Sequence, residues 1–253
     1  MKIAVAGGTG RVGRHVVAVL RERGHEPVVL TRSTGVDLVA GTGPGGSELA
    51  TVLDGVDTVI DVCSLFTHDA EEARAFFGAT TRNLLDAELT AGVGHHVLLG
   101  IVGSNTSDHN YYAGKIVQET LVHEGRVPWT EVRATQFHEF AAQIYGVAKL
   151  GPFLLAPRMR SQPIAANEVA ERLVELATGA PQGLVVELAG PREENMARMV
   201  RAYATATGKP SRIIQVPAPG PGGKAMRDGS LLPRPGAQLG KQTFDEWLSE
   251  LRE

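Results

Sequence analysis

One cysteine, Cys63, stands among 253 residues. An internal disulfide is therefore excluded, which fits a reducing cytoplasm, the expected location. Cys63 itself reads as a small buried filler at a strand end rather than a catalytic thiol. No apolar run is long enough to span a bilayer, so no membrane partner is expected. Charge of one sign is also lacking. The 25 Lys and Arg against 28 Asp and Glu leave a formal net charge of −3, which gives no basis for a nucleic-acid-binding surface. His and Cys nowhere group at zinc spacing. His95 and His96 are neighbours in an extended run, where adjacent side chains point to opposite faces, and His68, His109 and His123 are scattered. No metal is expected. The chain opens on strand-like residues rather than a charged segment and an apolar signal core, so no export signal is expected. No internal repeat is apparent, and only residues 41–46 and 217–223 approach low complexity. The length admits one large domain, or one domain with a small appendage. The oligomeric state is not legible.

What the chain does have is a strand that runs straight into a glycine turn and then a helix. Met1-Lys2-Ile3-Ala4-Val5-Ala6 is followed by Gly7-Gly8-Thr9-Gly10-Arg11-Val12-Gly13. Val12, Val16, Val17 and Leu20 then repeat at helical spacing. Strand, glycine turn, helix is the context that makes a glycine triplet informative. Glycines let the backbone approach a pyrophosphate, and the helix N-terminus offers unpaired N–H groups and a positive dipole end. A dinucleotide-binding site is expected at Gly7, Gly10 and Gly13.

Apolar strands alternate with helical stretches as far as residue 133. Strands are expected over 3–6, 28–30, 58–62, 96–101 and 130–132, and helices near 11–23, 47–54, 70–91 and 112–124. Such alternation implies parallel strands joined by helical crossovers. Continuous apolar runs imply a sheet covered on both faces. Residues 33–46 are too short for a further strand–helix–strand unit and read as a trimmed connection. Beyond residue 150 the texture changes. A helix near 137–149 is broken by Gly151-Pro152, strands are expected near 162–164, 184–188 and 213–216, and helices over 167–178, 193–207 and 243–251. Asn167 reads as a helix N-cap and residues 217–223 as a loop. The expected fold is α/β: a Rossmann-type doubly wound parallel sheet over residues 1–150, with a small, mixed C-terminal part over 151–253 that completes the sheet and forms a substrate lobe.

In a Rossmann unit the end of the second strand meets the adenosine ribose. Here Val28-Val29-Leu30-Thr31 ends in Arg32-Ser33, with no carboxylate. The guanidinium of Arg32 suits a 2′-phosphate, so NADPH is expected over NADH. Arg11 and Arg14 add charge at the start of the first helix, and Asp37 sits close enough in sequence to meet the adenine. Farther on, Tyr111-Tyr112-Ala113-Gly114-Lys115 opens a helix. Tyr111 and Lys115 are four apart and share a face. A phenol can exchange a proton with a carbonyl or alcohol oxygen when a neighbouring ammonium favours its phenolate, and that ammonium can also bond a nicotinamide ribose. Tyr111 and Lys115 are the candidate catalytic residues. His138 is a candidate proton donor or substrate contact, with helix-start packing as the plainer reading.

At this point the chain resembles the short-chain dehydrogenase/reductase superfamily, and more narrowly its atypical NmrA-like branch of NAD(P)H-binding proteins. The resemblance runs through the glycine turn, Leu30-Thr31-Arg32-Ser33, Gly55-Val56-Asp57-Thr58-Val59-Ile60-Asp61, Ala91-Gly92-Val93-Gly94-His95-His96-Val97-Leu98-Leu99-Gly100, the Tyr111–Lys115 segment, Pro128-Trp129-Thr130-Glu131-Val132-Arg133-Ala134-Thr135-Gln136-Phe137, Glu168-Val169-Ala170 and Glu187-Leu188-Ala189-Gly190-Pro191. It implies that Thr9, Arg11 and Val12 line the phosphate turn and that Arg32, with Ser33 beside it, meets the 2′-phosphate. Cys63 and Ser64 would lie along the nicotinamide side, Lys115 would touch its ribose, and Ala134, Thr135 and Phe137 would line its pocket. Where the family places a serine to bind the substrate oxygen, this chain has Gly100. Ser104 or Ser107 is the candidate substitute.

The reading is an NADPH-dependent oxidoreductase acting on a small apolar carbonyl, quinone or enone, with an apolar rim of Leu65, Phe66, Phe153, Leu154, Leu155 and Met159. Gly100 keeps two alternatives open: a non-enzymatic NAD(P)H-binding redox sensor that binds a partner, and an epimerase or isomerase that returns hydride to its own substrate.

Overall fold

The structure is a computed structural model that describes residues 1–104, 110–147, 149–150, 153–209 and 212–251. In chain order its elements are β1 (Lys2–Ala6), α1 (Gly13–Glu22), β2 (Glu26–Leu30), α2 (Leu49–Val52), β3 (Thr58–Asp61), α3 (Ala70–Ala91), β4 (His95–Ile101), α4 (Asn110–Glu124), β5 (Trp129–Ala134) and α5 (Phe140–Val147). Then come β6 (Lys149–Leu150), β7 (Phe153–Pro157), β8 (Arg160–Ser161), α6 (Ala166–Ala177), β9 (Gly183–Leu184), β10 (Leu188–Ala189), β11 (Glu194–Asn195), α7 (Met196–Ala206), β12 (Arg212–Val216), α8 (Gly220–Asp228), β13 (Gln238–Leu239) and α9 (Phe244–Glu250). The fold is α/β with a mostly parallel central sheet. The chain forms two compact units. One comprises Met1–Gly100, Asp108–Arg133 and Asn167–Val185; the other Ile101–Ser107, Ala134–Ala166 and Val186–Glu253.

The first unit carries the strands in the order β2-β1-β3-β4-β5. β1 pairs in parallel with β2 (Ala4 opposite Val28) and with β3 (Val5 opposite Ile60). The chain therefore steps from β1 to one side and returns to the other. That makes the carboxyl ends of β1 and β3 the topological switch point, where open α/β sheets bind ligands. The trimmed segment explains the asymmetry: residues 32–48 form two short 3₁₀ turns and a small bridge between Asp37 and Thr42, and only β2 lies outside β1. Val36 and Leu38 anchor this segment in a core with Ala4, Leu30, Leu53, Val59 and Leu84.

Helix α1 buries Gly13, Val16, Val17 and Leu20, the face that the spacing predicts. Helix α3 begins where Asp69 accepts hydrogen bonds from the backbone N–H groups of Glu71 and Glu72, and it stops at Gly92 with φ +74°, as N-cap and C′ chemistry dictate. It packs closely on α4 because Gly114 has no side chain. A Cβ there would lie 2.4 Å from Phe77 Cδ2 and 2.6 Å from the Ala73 carbonyl oxygen.

In the second unit Leu188 of β10 pairs with Ala134, the last residue of β5, and β13 pairs with β10. β7 lies between β12 and β6, and β8 pairs antiparallel with β11. Asn195 caps α7, and a Thr243–Glu246 capping box starts α9. Three expectations change. The 184–188 strand is split into β9 and β10. Helix α6 begins at Ala166, so Asn167 lies inside it rather than at its cap. The 217–223 loop contains the start of α8, because Pro219 and Pro221 fall at its N-cap and first turn, where a missing N–H costs nothing. No helix of the described residues is long and apolar enough to cross a membrane.

Candidate functional site

The glycine turn sits at the switch point of the first unit. Gly7 takes φ +80°, and a Cβ on it would come within 3.1 Å of the Val62 carbonyl oxygen beyond β3. The Gly10 N–H donates to the Gly7 carbonyl at 2.9 Å and closes the turn. At Gly13 a Cβ would lie 2.2 Å from that same oxygen, so helix α1 starts directly against the turn. No side chain caps α1, and no acidic residue lies in its first turn; α3 and α9 have both. The Arg14 and His15 N–H groups donate to the carbonyls of Gly10 and Val12 at 3.1 and 2.9 Å, so a dinucleotide pyrophosphate over the glycine turn would be met by the N–H groups ahead of them and by the positive end of the ten-residue helix. Thr9 is exposed, Arg11 half-buried and Val12 buried.

Arg32 opens a 3₁₀ turn at the end of β2 that Thr31 and Thr34 cap reciprocally. Arg32 and Ser33 are exposed, and Arg32 has no ion pair among the described residues. The Ser33 hydroxyl is bonded to that of Thr31 at 2.9 Å. Asp37 spends one carboxylate oxygen on the N–H groups of Val39 and Ala40, and Asn83 of α3 donates to the carbonyls of Leu38 and Val39, tethering that turn.

After β3 the backbone N–H of Cys63 donates to Asp61 Oδ1 at 2.9 Å. The Cys63 side chain packs into the core. Burial, with Asp61 beside it, pushes its thiol well above the usual range, so it stays protonated and unreactive. Ser64 faces outward. Its hydroxyl lies 3.4 Å from that of Tyr111. Phe66, two residues on, is 60% exposed and touches His68 edge-on.

Tyr111 and Lys115 lie one turn apart on α4, and Phe77 of α3 meets both. Its ring is edge-to-face with Tyr111 at 5.5 Å, and the Lys115 ammonium lies 5.3 Å from its centroid. Lys115 is 2% exposed. It donates to the Leu99 carbonyl at 2.8 Å and to the side-chain oxygen of Gln118. Gln118 in turn donates to Asp61 Oδ2 at 2.8 Å. An ammonium has three donors. Two are used among the described residues, which leaves one N–H for a hydroxyl such as that of a ribose. The sequence reading placed neither Asp61 nor Gln118 in the site. Their signals were a carboxylate ending an otherwise apolar strand, and a glutamine one turn after Lys115.

Gly100 has a structural cause. A Cβ there would lie 2.4 Å from Glu131 Oε1, 2.8 Å from Arg133 Cγ and 3.2 Å from Glu119 Oε1. Arg133 bridges those two carboxylates at 2.8 Å each, and Glu131 also pairs with His123 at 2.6 Å. The space a serine would use is filled by an ionic cluster. Ser104 is fully buried, and Ser107 lies outside the described residues.

The remaining candidates belong to the second unit. Ala134 is buried and its carbonyl accepts from Val102, while Thr135 spends its hydroxyl on the Gln162 carbonyl at 2.6 Å. Phe137 is half-buried and bridges to Ile164. His138 is fully buried against Phe244 and Trp247 and donates from Nε2 to the Gln242 carbonyl at 3.2 Å. Its Nδ1 finds no partner among the described residues. Burial pulls its pKa down to about 4, against a smaller upward pull from the Gln242 carbonyl. This is the packing role, not that of a proton donor. Leu154 and Met159 are buried instead of forming an exposed apolar rim.

A family model described as NAD(P)H-binding matches residues 7–180. The photosystem II assembly factor Ycf39 of Synechocystis sp. is 30% identical over 111 residues, which is 40% of this chain and 34% of that protein. The chain thus spans about a third of the length of the curated relative it matches. Among solved structures, an NADPH-dependent quinone oxidoreductase from Escherichia coli, complexed with NADPH, matches with TM-score 0.72 and 16% identity over 99% of this chain and 100% of that one. A short-chain dehydrogenase/reductase superfamily protein from Agrobacterium tumefaciens with bound NAD matches with TM-score 0.68 and 21% identity over 100% and 96%. A nucleoside-diphosphate-sugar epimerase from Staphylococcus aureus matches with TM-score 0.68 and 17% identity over the full length of both chains. At these identities the likeness establishes the fold.

Two outcomes follow from this geometry. Gly100→Ser lowers stability by about 1–3 kcal/mol, the usual cost of overpacking a filled site; a urea midpoint equal to that of the parent would contradict the clash. His138 has its pKa lowered from an ordinary value near 6.5 to about 4, so the unfolded chain binds the proton first. Stability is complete above about pH 6.5 and falls as the pH drops toward 4, by on the order of 2–3 kcal/mol from this group. Melting temperatures across that range decline less steeply in His138→Phe, and an unchanged slope would assign the effect to other groups.

Proposed function

We propose, starting from the fact that this chain belongs to the NAD(P)H-binding family, that it is an NADPH-dependent reductase of a small apolar carbonyl, quinone or enone. The observation that carries the reading is the arrangement on α4. The Tyr111 hydroxyl stands beside Ser64, and the Lys115 ammonium follows one turn later with a donor to spare. Both belong to the same compact unit as the glycine turn. NADPH, when bound, supplies the hydride. Gly7, Gly10 and Gly13 bring the backbone close to the pyrophosphate, and the uncapped N-terminus of α1 accepts its charge. Arg32, exposed and without an ion pair among the described residues, pairs with the 2′-phosphate. The third N–H of Lys115 holds a ribose hydroxyl. Tyr111 gives its phenolic proton to the substrate oxygen as hydride arrives. The Lys115 charge stabilises the phenolate left behind, and Ser64 bonds its oxygen. The exposed Phe66 ring supports an apolar acceptor.

A second reading has one observation in its favour. Gly100, crowded by Glu131, leaves the strand without the serine that the family uses on a substrate oxygen. That favours a redox sensor that holds NADPH without turning it over. A panel of quinones, enones and ketones separates the two by NADPH consumption. Turnover on at least one acceptor is expected, and Tyr111→Phe lowers its kcat by about 10²–10⁴-fold, the usual contribution of a positioned acid. NADPH binding with no turnover on any acceptor favours the sensor, and full turnover in Tyr111→Phe removes the tyrosine from the chemistry. Arg32→Asp weakens NADPH far more than NADH in equilibrium titrations; equal losses for the two would remove the 2′-phosphate assignment.

A further inference from the structure

Asp61 is 1% exposed, and Gln118 is fully buried. The Asp61 carboxylate has no lysine or arginine against it among the described residues. It accepts from the Cys63 backbone on one oxygen and from Gln118 on the other. A buried carboxylate is costly to desolvate, and an apolar residue would suit the end of β3 better. The cost is explained by what lies one amide away. A carboxylate only accepts, so the Gln118 amide must turn its NH₂ group toward Asp61. Its oxygen then faces Lys115. The orientation of one side chain fixes the next. The ammonium is held by two acceptors, Gln118 and the Leu99 carbonyl, and the buried set carries one negative and one positive charge.

We propose that Asp61 is a positioning residue for Lys115. Acting through Gln118, it orients the ammonium so that the remaining N–H meets the bound dinucleotide and the charge stays over the Phe77 ring that Tyr111 also meets. The proposal rests on the cofactor placement given above. It treats Asp61 and Gln118 as a directional chain, and the direction is what can be tested.

Asp61→Asn cannot serve both neighbours. If the new amide's oxygen accepts from Cys63, its NH₂ faces Gln118, which must flip and present its own NH₂ to the ammonium. If that oxygen accepts from Gln118 instead, the NH₂ opposes the Cys63 N–H. Gln118→Glu alone sets two carboxylates against each other. The double variant Asp61→Asn/Gln118→Glu restores the chain. The amide introduced on β3 accepts from Cys63 and donates to the carboxylate introduced on α4. That carboxylate accepts from Lys115, with the negative charge moved one link along.

The test is equilibrium titration of each variant with NADPH in the absence of any acceptor, with melting temperatures as the check on folding. Each single variant is expected to bind NADPH at least about tenfold more weakly, and the double variant to return within about threefold of the parent. Where the single variants do not fold, Gln118→Met removes the link with little change in volume and is expected to show the same loss. Parent-like affinity in Asp61→Asn or Gln118→Met overturns the proposal, as does a double variant no tighter than the weaker single. Rescue of NADPH affinity without turnover on any acceptor supports the chain and overturns only the reductase reading.

Discussion

Everything in the first unit depends on how closely two pieces of backbone meet at the end of β1. The Gly7 carbonyl occupies the space where any side chain on Gly13 would stand, 2.2 Å from an ideal Cβ. This approach sets α1 directly on the turn, with its first N–H groups free of side-chain caps. It also places the turn against Val62, just past β3. The switch between β1 and β3 leaves a crevice there in any open α/β sheet. The glycines would let a phosphate group approach the backbone in that crevice, at the positive end of α1.

A second constraint lies deeper, where α3 and α4 pack beside the sheet. The unit pairs its inner polar groups in small sets. Asp61, Gln118 and Lys115 form one, and Glu88 with His96, both fully buried and 2.8 Å apart, another. Glu119, Arg133, Glu131 and His123 form the third. Breaking such a set would leave a charge without a partner, which is costly away from water. The third set decides the identity of residue 100. The first holds the Lys115 ammonium between Gln118 and the Leu99 carbonyl.

Much of the fold was legible. Alternating apolar strands and helical stretches, a glycine at each of three turn positions and the 3–4 spacing of Val16, Val17 and Leu20 all depend on near neighbours in the chain. So did the absence of room for another strand between β2 and α2. The C-terminal part was less legible. Strands β9, β10, β11 and β13 have two residues each, too short for a period to register, and they exist because residues such as Ala134, Ser161 and Arg160 offer them partners. His138 read as a possible acid because it follows a strand of the parallel sheet, beside the expected cleft. Its actual neighbours, Phe244 and Trp247, come from a helix about a hundred residues away.

By itself the sequence determined the β1–turn–α1 unit, the parallel α/β architecture, the basic residue at the end of β2 and the Tyr111–Lys115 spacing. Each is a local pattern, governed by backbone sterics and helical periodicity. Only the tertiary structure decided what Gly100 means, which groups hold Lys115 and whether Cys63 and His138 are reactive. Those answers depend on burial and on partners brought together across the chain, such as Asp61 with Gln118 and Gly100 with Glu131. Desolvation in the packed core turns such pairs from neutral neighbours into requirements.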